Sequence, residues 1–236
     1  MAPEAPVMVI TGSSRGIGRG LAEQFLARGY RVAGCARGPS TIDDPLYHHT
    51  QVNVSDESAV RRWVRALRTK YGRIDVLVCN AGTARASSLV TMTDGALLED
   101  IVRSNVFGTF FVCREVARAM MVARTGRIVT VSSMAVGLHE EGTAAYAAAK
   151  SAIVEMTKIL AKELAPLGIT ANVVAPSMYA SDAFAALGEQ VQERARARLT
   201  IQRTVTIAEI ANVVAFFAAP DSAPITGQVI HMGLVV

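Results

Sequence analysis

The feature that most constrains this chain is a regular alternation of short apolar runs, rich in β-branched residues, with longer helical patterns. The runs are VMVIT (7–11), YRVAGC (30–35), HHTQVNV (48–54), IDVLVC (74–79), GRIVTVS (126–132), ITANVVA (169–175) and QVIHM (228–232). Helical patterns lie between them near 17–28, 56–70, 97–123, 144–165, 183–198 and 207–218. Strands apolar on both faces and separated by helices predict an α/β fold: a doubly wound parallel sheet of about seven strands with helices on both faces. No linker, repeat or low-complexity tract interrupts the 236 residues, so one domain over 1–236 is expected. The connection ARGPSTIDDPLYHH between the second and third strands is short and rich in Pro and Asp. A loop or single turn is expected there in place of a crossover helix.

Bulk properties exclude several classes of function. Mean hydropathy is +0.31, yet no apolar run reaches the ~20 uncharged residues a spanning helix requires. The opening MAPEAPVMVITG has neither a basic region nor a long apolar one, and no secretory signal is read there. The net charge of +4 is spread along helices beside acidic residues, as in RRWVRALRTKYGRID, which describes a solvated face and not a nucleic-acid footprint. Cys35, Cys79 and Cys113 are far apart in apolar stretches. They read as buried reduced thiols of a cytoplasmic protein, with no disulfide framework and no metal site. His48 and His49 lack further ligands at metal spacing and are expected to cap or flank strand three.

The first strand runs into a glycine-rich turn and then a helix. Thr11-Gly12-Ser13-Ser14-Arg15-Gly16-Ile17-Gly18 has the spacing G-x-x-x-G-x-G. Glycines there permit positive φ and let backbone amides approach a pyrophosphate at the helix N-terminus, the arrangement of a Rossmann-type dinucleotide site. An NAD site would place an acidic residue about 20 positions further on, to bind the ribose 2′-hydroxyl. That place reads Cys35-Ala36-Arg37. Either Arg15 or Arg37 alone fits a surface residue; together they suit a 2′-phosphate, so NADPH/NADP+ is the expected cofactor.

A second constellation lies in SSMAVGLHEEGTAAYAAAK, residues 132–150. Tyr146 and Lys150 are four apart in an alanine-rich helical pattern and share one face. A free phenol titrates near pH 10, and a neighbouring ammonium is expected to lower that value. The pair would then serve as general acid for carbonyl reduction, or as base for the reverse. A serine at the end of the preceding strand would hold the substrate oxygen beside the phenol.

These motifs together resemble the short-chain dehydrogenase/reductase family over nearly the whole chain. TGSSRGIG (11–18) is similar to its cofactor turn, CNAG (79–82) to its N-N-A-G motif, and NVVAP (172–176) to the stretch before its nicotinamide loop. Asn105, Ser133, Tyr146 and Lys150 fall in the order of its catalytic tetrad. The resemblance implies that Tyr146 donates the proton and that Ser133, not Ser132, hydrogen-bonds the carbonyl oxygen. It implies that Lys150 binds the nicotinamide ribose while Asn105 holds a water linking Lys150 to solvent. Gly12, Ser14, Arg15, Gly16, Ile17, Gly18 and Arg37 would hold the phosphates, and Asn53 and Val54 the adenine. Asn80, Ala81 and Gly82 would shape the groove, and Pro176, Ser177, Met178 and Ser181 would meet the nicotinamide. On the substrate side stand Ser133, Ala135, His139 and Tyr146. The chain departs from the family at Cys79 for Asn, at Ser177 for Gly, at Ser181 for Thr, and in GQVIHMGLVV, which lacks N-G-G.

Within the family the chain is most similar to 3-oxoacyl-(acyl carrier protein) reductases, which implies reduction of a β-ketoacyl thioester on an acidic carrier, in fatty-acid or polyketide synthesis. Arg124 matches one carrier-contacting position, whereas Leu167 occupies the other; Arg114, Arg118 and Lys158 would extend a basic patch or are solvated helix residues. A dehydrogenase of a free sterol, sugar or xenobiotic alcohol and a catalytically silent cofactor sensor are the alternatives. The insert SMYASDAFAALGEQVQERARARL opens the segment 177–203, read as a substrate lid or as a rigid packing helix. The helices at 97–123 and 144–165 carry apolar residues on more than one face, which predicts a homotetramer or homodimer.

Overall fold

The computed structural model describes residues 5–83, 88–180, 184 and 188–236. Seven strands form one parallel sheet: β1 (Val7–Thr11), β2 (Arg31–Ala36), β3 (Tyr47–Gln51), β4 (Val76–Cys79), β5 (Gly126–Val131), β6 (Ile169–Ala175) and β7 (Val229–His231). Their order is β3-β2-β1-β4-β5-β6-β7. The chain winds outward in both directions from β1, so a crevice opens beyond the carboxyl ends of β1 and β4.

Side-chain alternation splits each strand between two cores. Val9, Ala33, Leu77 and Ile128 face one layer, made by α2 (Glu57–Tyr71), α4 (Gly108–Ala123) and α6 (Ala144–Leu164). Met8, Ile10, Val32, Val78 and Val129 face the other, made by α1 (Gly16–Leu26) and α8 (Ile207–Ala218). Phe25 of α1 and Phe217 of α8 are fully buried in that second layer, each worth about 1.5–3 kcal/mol of transfer energy.

Local chemistry sets the helix ends. Asp56 accepts from the Ala59 amide to cap α2, and Gly72 closes it at φ 72. Thr206 and Glu209 form a reciprocal capping box at the start of α8. Residues 37–46 contain no helix, so the second crossover is a loop as its sequence requires. β3 is shorter than its apolar run, because the Asn53 side chain accepts from the Ser55 amide and turns the chain into α2.

The long helical pattern at 97–123 is not one helix. It divides into α3 (Gly95–Val102), a π-helical turn at Arg103–Phe107, and α4. Asn105 supplies the reason. Its side-chain amide donates to the Ile101 carbonyl at 2.9 Å and to the Thr83 carbonyl at 3.0 Å. The first acceptor is the one its own backbone N–H would use in a regular helix, so the ladder slips by one residue. Two further α-helices are α5 (Ala135–Leu138) and α7 (Glu189–Arg196). The expected helix at 183–198 is seen in α7, while 183 and 185–187 lie outside the described residues.

Candidate active site

A cavity of about 820 Å³ occupies the crevice. At one end it is lined by the glycine turn, by Arg37 after β2, and by Asn53 and Val54 after β3. At the other lie Ser133, Tyr146 and Lys150. Of the expected cofactor residues, Gly12, Ser14, Arg15, Gly16, Ile17, Asn80, Ala81, Gly82, Pro176, Ser177 and Met178 also line it. Ser181 lies outside the described residues.

At the glycine turn, Gly12 and Gly16 have φ 73 and 59, and no side chain caps the start of α1, leaving amides open to an anion. Gly18 does not line the cavity. A Cβ there would sit 2.3 Å from the Gly12 carbonyl oxygen and 2.4 Å from the Asn80 amide nitrogen, so this glycine lets helix and turn close together. Asn80 is as much a clamp as a wall: its side chain donates to the Thr11 carbonyl at 3.1 Å. Thr11 Oγ1 accepts from the Asn80 and Ala81 amides in return. The guanidiniums of Arg15 and Arg37 are exposed and make no hydrogen bond or ion pair among the described residues.

The other end is buried. Lys150, on α6, is 4% exposed and donates to the Val131 carbonyl at 2.9 Å, where β5 ends. Burial lowers its pKa to about 8. Its ammonium lies 5.7 Å from the centre of the Tyr146 ring, one helical turn away. The expected acidification of Tyr146 is not what this geometry produces. Burial is the largest influence and raises the phenol above its ordinary value, and the opposing influence is a hydrogen bond with the Ser133 hydroxyl. A low-dielectric site disfavours phenolate more than a lysine behind the ring favours it. Tyr146 therefore stays protonated at neutral pH, as a proton donor must.

The two adjacent serines sit in different surroundings. Ser132 is buried and donates to the Lys150 backbone carbonyl at 3.3 Å, while Ser133 faces the phenol. Asn105 does not line the cavity but stands directly behind it. Its Oδ1 is buried without a partner among the described residues. A Cβ on Gly82 would lie 2.3 Å from that oxygen and 3.4 Å from Lys150 Nζ, so the three converge.

Several of the expected site residues lie away from this cavity. Ala135 is buried at the start of α5, where its amide donates to Ser133 Oγ, and does not line the cavity. His139 ends α5 in the left-handed region at φ 51, exposed and likewise off the lining. Arg124 ends α4 at φ 51 and donates to the Pro166 carbonyl. A helix returning antiparallel to the strands delivers it to the amino edge of the sheet, opposite the cavity. Arg114, Arg118 and Lys158 pair with Glu57, Glu115 and Glu155, as ordinary helix-surface residues do. Conversely, Arg103 lines the cavity without a signal in the sequence, and Tyr179 and Phe184 line it from the segment 177–203. Tyr179 stands over the turn, its hydroxyl 2.8 Å from where a Gly16 Cβ would be.

Cys35, Cys79 and Cys113 are free and buried, and burial pushes the Cys35 thiol to about 12. Among the described residues no group of His, Cys, Asp or Glu could hold a metal, and no helix is long and apolar enough to cross a membrane.

Residues 12–233 match the family described as enoyl-(acyl carrier protein) reductase. The chain is 38% identical over 235 residues to the 3-oxoacyl-(acyl-carrier-protein) reductase FabG of Escherichia coli (strain K12), covering 97% of this chain and 96% of that one. It is 33% identical to FabG of Staphylococcus aureus (strain Mu50), with 95% of each chain covered. The solved structure of ElxO with NADP bound superimposes with a TM-score of 0.91 at 27% identity, covering 97% of each chain. Matched across almost its full length, this chain belongs to the short-chain dehydrogenase/reductase family.

Proposed function

We propose that this chain is an NADPH-dependent ketoreductase that converts a β-ketoacyl thioester, carried on an acyl carrier protein, to the secondary alcohol. The observation that carries the reading is a protonated, half-buried phenol beside the Ser133 hydroxyl, in one cavity with two open guanidiniums. The FabG relatives support the substrate class by their names, and ElxO supports the cofactor.

The residues present fit the cofactor. The positive-φ glycines and uncapped helix suit a pyrophosphate, and Arg15 with Arg37 suits a 2′-phosphate. When bound, the nicotinamide supplies a hydride to the carbonyl carbon. Ser133 orients the carbonyl oxygen, and Tyr146 gives it the proton that completes the alcohol. Lys150 binds the nicotinamide ribose. Asn105 holds a water on the path from Lys150 to solvent, a role supported by its unpartnered Oδ1. Segment 177–203 acts as the lid: Arg198 pairs with Glu140 in the loop before Tyr146, and Tyr179 bridges to Val205. Phe110 on α4 and Ile159 on α6 are exposed, which supports assembly into a tetramer or dimer through these helices. The free thiols are in keeping with a cytoplasmic setting.

NADPH oxidation should be compared with acetoacetyl-carrier protein, simple β-ketoesters and crotonyl-carrier protein. Fastest turnover of the carrier-bound ketone is expected, with none of the crotonyl thioester. Activity confined to the crotonyl substrate would replace carbonyl by alkene reduction, and preference for free ketones would remove the carrier.

A further inference from the structure

The proposed cofactor reading assigns Arg37 to the 2′-phosphate but leaves open what aims it. The loop that follows Arg37 has no helix, and the guanidinium has no protein partner among the described residues. Its direction therefore depends on the backbone to either side, at the carbonyl just before it and at the carbonyl of the residue that follows it. Both are tied to the β3 segment. The Ala36 carbonyl accepts from the Val52 amide at 2.9 Å. The Gly38 carbonyl is bonded by His49 Nε2, also at 2.9 Å.

His49 does not act alone. Tyr47 and His49 are two apart on β3 and so share one face, with rings stacked at 6.1 Å. The Tyr47 hydroxyl is 3.1 Å from His49 Nδ1 and 2.9 Å from Ser13 Oγ, inside the glycine turn. Ser13 is fully buried, and its amide and that of Gly12 both donate to the Cys35 carbonyl, at 3.1 and 2.7 Å. Gly34 on β2 makes room for the hydroxyl pair: a Cβ there would lie 2.3 Å from Ser13 Oγ and 2.4 Å from the Tyr47 hydroxyl.

The direction of the chain follows from its end. A carbonyl only accepts, so His49 Nε2 carries the proton, and in the neutral ring Nδ1 accepts from Tyr47. The Tyr47 oxygen then accepts from Ser13. One line of hydrogen bonds thus joins the backbone bearing Arg15 to the backbone bearing Arg37.

We propose that His49, acting through Tyr47 and Ser13, is a positioning residue that fixes the spacing of the two arginines and so sets the preference for a 2′-phosphorylated cofactor. This rests on the NADPH reading given above. His49 need not touch the cofactor; it acts through the Gly38 peptide.

Fluorescence titration of the wild-type chain and of H49A, H49Q, Y47F and an R15A/R37A double variant, each with NADPH and NADH, tests the proposal. In H49A the Kd for NADPH should rise about tenfold, the worth of roughly one good hydrogen bond, with the Kd for NADH within about twofold. H49Q, whose amide can donate to Gly38 and accept from Tyr47, should recover most of the preference; Y47F should lose part of it. If H49A weakens both cofactors equally, or leaves their ratio unchanged while R15A/R37A abolishes it, His49 is merely structural and the proposal falls alone. If the wild type itself binds NADH as tightly as NADPH, the cofactor reading fails and the proposal with it. Should H49A fail to fold, the ratio in Y47F and H49Q decides on the same criteria.

Discussion

The two ends of the cavity are built on opposite principles. At the tyrosine end, a buried lysine is held on the Val131 carbonyl, and a half-buried phenol lies beside Ser133. At the arginine end, two exposed guanidiniums have no partner among the described residues, on backbone that is held from behind. Enclosure strengthens each interaction and fixes which group is protonated, at a cost in desolvation. Exposure keeps charge cheap but screened, so that end can select a cofactor without destabilising the fold.

The sharpest way to break this contrast is to empty the tyrosine end of its proton. Tyr146→Phe should lower kcat about a thousandfold while leaving cofactor affinity near wild type. Turnover retained in that variant would show that another group protonates the substrate. Next in size is the arginine end. In the R15A/R37A double variant the Kd for NADPH should rise about a hundredfold, with kcat at saturating cofactor little changed. Wild-type affinity for NADPH should also weaken with added salt, as exposed pairing requires. An affinity indifferent to both would place the phosphate elsewhere.

The smallest effect concerns stability. Folding lowers the pKa of Lys150 from 10.5 to about 8. Between those values the unfolded chain holds more protons, so stability rises with pH across the window. Urea unfolding of wild type and K150M at about pH 7.5 and about pH 9.5 should show the difference shifting in favour of wild type by about 1–2 kcal/mol. A constant difference would mean that the lysine is hydrated. The raised pKa of Tyr146 acts in the opposite sense, but only above pH 10.

Much of the site was legible because it depends on short spacings. The four-residue separation of Tyr146 and Lys150 fixes a shared helix face, and the glycine turn announces itself by residues that only a positive φ requires. Where a side chain's role depends on what lies across the molecule, the residues gave no sign. Gly18 reads like its neighbours in the turn, yet it faces Asn80 from another strand. His139 reads as near the site because it is near Tyr146 in sequence, and a left-handed helix end carries it off the lining. The pair His48-His49 has no motif at all, and the bond to Gly38 exists only because β3 lies beside β2.

The sequence by itself determined the architecture and placed Tyr146 and Lys150 on one helix face, since period-2 and period-3.6 patterns and turn chemistry act over a few residues. The tertiary structure alone decided that burial raises the Tyr146 phenol, that Asn105 slips a helical ladder to meet Lys150, and that Ser132 turns away to the Lys150 carbonyl. Those outcomes depend on local dielectric and on contacts between residues tens of positions apart, and neither quantity exists until the chain has folded.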